Sequence, residues 1–456
     1  MVTFKVGLEI HGYIDTKQKL FCNCSIEDDA KPNSNICPVC TGQPGSKPML
    51  TNQDALYSAV NIGLMLGCKI NNRLLFQRKH YSWPDSPNNF QRTMSGSYAV
   101  PVGENGEFEG IRITQVHLEE DPAKWDPVTG EIDYNRAGMP LIEIVTEPDF
   151  NDSEQVRDWL KKLITTLSYI NALNRKGGIK SDVNISIEPL YERVEIKNVN
   201  SQSAIVDAIG IEVERQVAEK AAGKDIPMQT RTYDVESRQT LFMRSKENAQ
   251  DYMFIPDPDI PFMDIDDAKI AELEAALPES PSVKLAKLIE LGVKEDDAKV
   301  LAEEFALIDL YEKFSKYIPI KILTTYLRRE VVGVANYNKV EVSDLHFDEE
   351  QLKVLLTLVK EKKLTDPVAK KLLETLLLKP FDVMRHVEKE GLLSEQDDSQ
   401  LEDWCKESIA ENEKAVEDYK GGEEKSLNFL VGQVMKKSRG TAAPDVVREM
   451  IVGLLQ

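Results

Sequence analysis

The chain has no apolar run approaching the ~20 residues that a bilayer-spanning helix needs. Its first residues reach Lys5, Glu9 and His11 too early for a secretory signal. Both absences lead to the expectation of a cytoplasmic protein with no membrane partner. Positive charge is also in deficit: 56 Lys and Arg stand against 77 Asp and Glu, a net charge of −21. That balance excludes a general nucleic-acid coat or an anionic-membrane binder. Histidine is scarce, at five, and no G-x-S-x-G elbow occurs, so a nucleophilic hydrolase has little support. Neither a G-x-x-x-x-G-K-[ST] loop nor a strand-linked G-x-G-x-x-G is found, so any ATP must bind on another platform. Six cysteines in 456 residues are too few for a disulfide framework.

What is present is a chain of 41% hydrophobic and 29% charged residues, enough to bury cores in roughly two to four domains. Residues 1–265 hold sixteen of the 22 prolines and sixteen of the 24 glycines. Short alternating stretches between turns there predict antiparallel strands, interrupted by helical windows at 51–66 and 151–173. From about Asp266 the pattern is helical, with helices expected at 268–277, 283–291, 297–317 and 349–360. Asp366 is expected as an N-cap with Pro367 at the first helical position, and Lys379-Pro380 as the stop. The expected class is α+β: a β-rich domain at 1–285, a helical domain at 286–392 and a small helical tail at 393–456. In the final stretch from Lys425 to Gln456, Lys425, Lys436, Lys437, Arg439 and Arg448 outnumber Asp445 and Glu449. A polyanion would be least repelled there.

Four cysteines crowd into nineteen residues. Cys22-Asn-Cys24, twelve residues, then Cys37-Pro-Val-Cys40 supplies two thiolate pairs that suit a closed, structural Zn²⁺ site. A C-x-x-C redox pair or reduced structural thiols are the alternatives. Cys68 and Cys405 stand apart in apolar or helical contexts and read as buried, incidental thiols.

A second pattern has period two. Glu9 and His11 alternate with Leu8 and Ile10; Gln115, His117 and Glu119 alternate with Val116 and Leu118; Glu143 and Glu147 share a side. Asp182-Val-Asn184-Ile-Ser186 and Arg193-Val-Glu195-Ile-Lys197 continue it. Together these five stretches describe a single sheet, apolar below and polar above. A half-buried antiparallel strand normally shows some polar face to water. Here carboxylates recur with His, Asn, Arg and Lys, which is what hard divalent cations and phosphate groups require.

Taken in order, these motifs resemble the B-subunit family of the tRNA-dependent amidotransferases, which make Gln-tRNA and Asn-tRNA by the indirect route. The matching stretches include Val6-Gly-Leu-Glu-Ile-His11, Cys37-Pro-Val-Cys-Thr-Gly-Gln-Pro-Gly45, Arg78-Lys-His-Tyr-Ser-Trp-Pro-Asp85 and His117-Leu-Glu-Glu-Asp121. They continue through Asp133–Asp149, Asp182–Ser186, Glu195–Ser201, Met243–Glu247 and Pro256-Asp-Pro-Asp259 to Asn412–Lys420 and Leu430–Met435. The sister E-subunit family carries a large inserted domain, for which 456 residues leave no room.

The resemblance implies a cradle domain similar to glutamine synthetase and the guanido kinases. It implies ATP-dependent phosphorylation of the side-chain carboxylate of misacylated Glu-tRNA(Gln) or Asp-tRNA(Asn), followed by displacement of phosphate by ammonia. By the same resemblance, Glu9, His11, Glu119 and Glu143 are Mg²⁺ ligands. Asp182, Asn184, Glu195 and Lys197 complete the nucleotide and acyl-phosphate floor, and Arg244 and Lys246 contact phosphate. Strand alternation independently prefers Glu119 to Glu120, because only Glu119 shares a face with His117. The implied partners are a glutaminase A subunit, a small C subunit that belts the other two in a heterotrimer, and misacylated tRNA held by the helical parts. The competing expectation is a non-catalytic, zinc-stapled scaffold that binds tRNA within such a complex.

Overall fold

The computed structural model describes residues 3–174, 179–188, 192–199, 201–245, 253–393, 398–438, 440, 442 and 444–455. The chain divides into two compact units, Met1–Ser280 and Pro281–Gln456. Residues 394–397, where the sequence suggests a second boundary, lie outside the described residues, as do Lys246 and Arg439.

The first unit is built on a twelve-stranded sheet. In chain order its strands are β1 (Phe4–Tyr13), β2 (Lys69–Ile70), β3 (Gln77–His80), β4 (Phe90–Thr93), β5 (Gly103–Phe108) and β6 (Ile111–Glu120). They continue as β7 (Pro140–Thr146), β8 (Ile179–Ile187), β9 (Val194–Val199), β10 (Gln229–Asp234), β11 (Gln239–Ser245) and β12 (Met253–Pro256). The spatial order is β11-β10-β9-β8-β1-β7-β6-β4-β3-β12, with β5 on β6 and β2 on β5. The five strands foreseen from the alternation are therefore neighbours: β9, β8, β1, β7 and β6.

Alternation decides which face is buried. Val6, Leu8 and Ile10 of β1, Val116 and Leu118 of β6, and Ile142 and Ile144 of β7 all enter one core, with Val183 and Ile185 of β8. Each buried Leu, Ile or Val contributes ~1.5–3 kcal/mol, and a slip of one residue would drive Glu9 and His11 into that core. Register is strongly held for this reason. Helices α1 (Gln53–Met65), α2 (Ser153–Tyr169) and α3 (Gln202–Ala221) add their apolar residues to the same core. Trp159 of α2 stands edge-on to Phe108 and Phe150 and donates its indole N–H to the Phe108 carbonyl at 2.9 Å.

Three features depart from expectation. Helix α3 lies inside the β-rich region, unforeseen because its inner face buries Glu212 and Gln216, which break the apolar spacing. By crossing over between β9 and β10 it makes that pair parallel, while the other pairs are antiparallel. In the second unit, the helix expected across 297–317 is two helices, Glu295–Glu303 and Phe305–Phe314. Leu301 and Leu307 are both fully buried. Six residues apart they would point about 120° away from each other on one continuous helix, and the break at Glu304 lets both turn inward.

The rest of the second unit is helical. Helix Glu349–Lys360 forms where foreseen, and Asp366–Leu378 starts one residue early: Thr365 is the N-cap, Asp366 and Pro367 lie in the first turn, and Lys379 ends it. A π-helical stretch at Thr324–Val331 buries Tyr326, whose hydroxyl donates to Asp366 at 2.9 Å. Near the chain's end Cys405, Leu427, Leu430, Val434, Val447 and Ile451 form their own apolar cluster. Among the described residues, no helix is long and apolar enough to cross a membrane.

Candidate functional site

The antiparallel registers bring the polar residues of five strands into rows. His11 of β1 lies opposite Glu143 of β7, which lies opposite His117 of β6. On the other side Glu9 pairs with Asp182 of β8, Asn184 with Glu195 of β9, Glu195 with Thr230 of β10, and Thr230 with Arg244 of β11. The result is a polar floor.

Two groups of candidate ligands stand on it. In the first, His11, Glu119 and Glu143 each offer an atom within 4.8 Å of the others. Glu143 Oε2 lies 3.3 Å from His11 Nε2 and 3.1 Å from His117 Nε2, and Glu119 Oε1 is 3.7 Å from His11 Nε2. Burial alone would raise the Glu143 carboxyl, yet the two imidazoles hold it well below the usual range. Glu119 goes the other way, raised by burial and by the Glu143 charge. Burial also works against a charged His11, but its hydrogen bond to Glu143 and the charges of Glu143 and Glu119 lift it to about 9. In the metal-free chain a proton thus takes the place of a cation.

The second group is Glu9, Asp182 and Glu195, again within 4.8 Å of one another. Glu9 is separate from the His11 group in ligand geometry, although its carboxyl is raised by burial and then by the Glu143 and Glu195 charges. Lys197 spans this group, with Nζ 2.7 Å from Asp182 Oδ2 and 3.0 Å from Glu195 Oε1. Burial disfavours its charge, but the two carboxylates outweigh it and raise the ammonium's pKa. Asn184 donates to Glu9 Oε1 at 3.0 Å, and Thr230 donates to Glu195 Oε2 at 3.0 Å. Arg244 is half-buried two strands further along, whereas Lys246 is outside the described residues.

These residues fit a hard divalent cation. The carbonyl oxygen of Asn184 is buried without a hydrogen-bond partner, while its amide is committed to Glu9. A carboxamide oxygen beside three carboxylates is a donor set of the kind Mg²⁺ takes. Carboxylate oxygens also suit the first group, where His11 adds a nitrogen.

Behind the floor are ion pairs that sequence reasoning did not single out. Glu120 turns away from His11 and accepts from Arg92 Nη1 at 3.3 and 3.4 Å. Arg92 Nε reaches Asp257 at 2.8 Å, and Arg78 joins Asp257 at 3.1 Å. This ties the Pro256-Asp-Pro-Asp259 segment to strands β3, β4 and β6. Tyr13, on the same face of β1 as His11, donates to Asp121 at 2.7 Å, and Asp121 also meets Arg136 at 3.0 Å. The signal for these in the sequence is that Arg78, Glu120, Asp121, Arg136 and Asp257 lie within the family-like motifs. Glu147 is past a bulge in the β6–β7 pairing and accepts from Thr114 instead.

The four cysteines converge. Their sulfurs lie within 4.8 Å of one another, with Cys24–Cys40 at 4.0 Å and Cys37–Cys40 at 3.9 Å. A tetrahedral site with Zn–S bonds of ~2.3 Å needs sulfurs ~3.8 Å apart, so the donors fit zinc. The Pro38-Val39 turn is closed by amides of Thr41 and Gly42, and the Cys37 amide points at Cys40 Sγ at 3.2 Å. Gly42 is required there: its φ is +65°, and a Cβ would stand 2.2 Å from the Pro87 carbonyl oxygen. Cys68 and Cys405 are buried elsewhere.

Fold and site together define a mixed α/β protein whose sheet presents an acidic, cation-compatible floor above a helix-covered core. Its family is shown by comparison with known proteins. Residues 4–271 match the GatB/GatE catalytic domain and residues 309–455 the GatB domain, and the chain belongs to that family. It is 39% identical over 459 residues to the B subunit of the aspartyl/glutamyl-tRNA(Asn/Gln) amidotransferase of Methanopyrus kandleri, covering 99% of this chain and 98% of that one. The proteins of that name from Methanothermobacter thermautotrophicus and Methanocaldococcus jannaschii are each 41% identical, covering 98% and 99% of this chain and 99% and 97% of theirs.

Proposed function

We propose that this chain is the transferring subunit of a tRNA amidotransferase. In this reading it converts Glu-tRNA(Gln), Asp-tRNA(Asn) or both to the amides, using ATP and ammonia. The name carried by its relatives supports the role, and the paired groups on one floor, His11–Glu119–Glu143 and Glu9–Asp182–Glu195, carry the chemistry. It is a carbon–nitrogen ligase acting with glutamine as amide donor. A glutaminase A subunit supplies the ammonia, and a small C subunit completes a heterotrimer.

The chemical problem is that a carboxylate is a poor electrophile and must meet ATP, a second anion. Phosphorylation supplies the leaving group, and ammonia then attacks the carbonyl carbon and expels phosphate. Mg²⁺ held by His11, Glu119 and Glu143, with Glu9 in the neighbouring group, would screen the phosphoryl charge. Lys197 is the cation already fixed beside Asp182 and Glu195, able to neutralise charge developing on a transferred phosphoryl group. Asn184 and Thr230 hold Glu9 and Glu195 in place. Arg244 and Lys246 are assigned to phosphate contact, and Asp182 to orienting Lys197. Zinc at Cys22, Cys24, Cys37 and Cys40 is structural, because four protein donors leave no open position.

The first unit is read as a cradle similar to glutamine synthetase and the guanido kinases. The helical segment at 286–392 and the tail at 393–456 are read as the tRNA-holding parts, the tail through the cationic stretch of Lys436, Lys437 and Arg439, of which Lys437 is already paired with Glu407 and Glu411 at 2.8 Å and Arg439 lies outside the described residues. A Glu119→Ala variant tests the assignment. ATP turnover should vanish while tRNA affinity is largely kept; unchanged transamidation would leave only a scaffold role.

A further inference from the structure

One buried cation is not used by the floor. Lys19 is 1% exposed, and among the described residues no Asp or Glu forms an ion pair with it. Its ammonium donates to the Tyr134 carbonyl at 3.0 Å. An ammonium carries three donors, and a buried charge facing one neutral oxygen is strongly unfavourable unless an anion is near.

The anion is at hand. Lys19 is next to the cysteine loop: its amide donates to the Cys24 carbonyl at 3.1 Å, and the neighbouring Leu20 amide to Gly138 at 2.8 Å. Gly138 lies between the two partners, with its Cβ position 3.8 Å from both Cys40 Cβ and Lys19 Cδ. A zinc ion with four thiolates carries a net charge of about −2, and a part-buried site of that charge calls for a fixed cation.

We propose that Lys19 is the positioning residue of the cysteine site, a buried counter-charge that sets its zinc affinity and ties the loop to the Tyr134–Gly138 segment. It touches neither substrate nor metal and acts through Cys40. The inference rests on reading the four cysteines as a zinc site. Its consequence for the floor is indirect, since Arg136 in the tied segment anchors Asp121, two residues from Glu119.

The test uses the full chain, with zinc affinity measured by competition against a chromophoric chelator. The thiolate-to-metal absorption of the cobalt-loaded protein serves as a second readout. K19M, which keeps the volume and removes the charge, should bind zinc about 10–100-fold more weakly, with a shifted cobalt band. K19R should stay close to wild type, and K17M, at an exposed lysine, should change nothing. Should K19M not fold, K19Q against K19R carries the same comparison. Equal zinc affinity in the neutral and charged variants, even with lower thermal stability, would overturn the role of Lys19. A wild-type chain that binds no zinc would overturn the site itself.

Discussion

Glu119 and Glu120 are consecutive, yet Glu119 Oε1 lies 3.7 Å from His11 while Glu120 Oε1 lies 3.3 Å from Arg92. One carboxylate faces the floor and the other locks the strand to its neighbours. The two should therefore fail in different ways. Glu119→Ala is expected to cut ATP-dependent transfer by at least ~10²-fold, as loss of a preorganised electrostatic group does, with a melting temperature near wild type. Glu120→Ala leaves the buried Arg92 with Asp257 alone and should cost ~3 kcal/mol of stability. Thermal melts and single-turnover assays on both variants check the contrast.

The proton on His11 gives a pH dependence. Its folded pKa of about 9 is above the unfolded value of ~6.5. The stability it contributes is thus complete below pH ~6.5 and lost as pH rises through about 9. Glu9 and Glu119, raised by burial, act in the same direction. Denaturant unfolding of the metal-free chain should show stability falling across that window. His11→Asn should flatten the fall; an unaltered slope would contradict the assignment.

Lys197 presently neutralises Asp182 and Glu195. Lys197→Met should leave their charges open, so that Mn²⁺ binds about tenfold more tightly without nucleotide, while transfer falls. Electron paramagnetic titration of free Mn²⁺ reads the first effect. Weaker Mn²⁺ binding in the variant would show that Lys197 organises the carboxylates rather than competing with a cation.

For the cysteine loop, metal analysis should find about one zinc per chain, and Cys37→Ser or Cys40→Ser should lose it. Melting should fall by ~5 °C or more, with new proteolytic cleavage confined to residues 22–42. Intact melting after complete removal of zinc would refute a structural role.

The floor was legible in the sequence because strand alternation is a two-residue code. Once Leu8, Ile10, Val116 and Leu118 are inside, Glu9, His11, His117 and Glu119 have one place to go. The cysteine pairs were legible for a similar reason, since spacing alone restricts where four thiols can meet. What alternation does not carry is distance across strands. It places Glu9 and His11 on one face, and only the register sets His11 beside Glu143 and Glu9 beside Asp182. Helix α3 escaped because Glu212 is buried against Thr240 of β11, a tertiary compensation that leaves no local trace. Lys19 escaped likewise, a lysine in a turn-rich loop whose burial depends on residues more than a hundred positions away.

The most direct test is single-turnover conversion of labelled Glu-tRNA(Gln) by this chain with ATP, Mg²⁺ and ammonium chloride, first alone and then with the glutaminase partner. The account predicts amide formed from ammonium by the wild-type protein, alone or once the partner completes the complex, and none from Glu143→Gln under either condition. Amide formed equally by Glu143→Gln, or no amide from wild type even with the partner present, would contradict it.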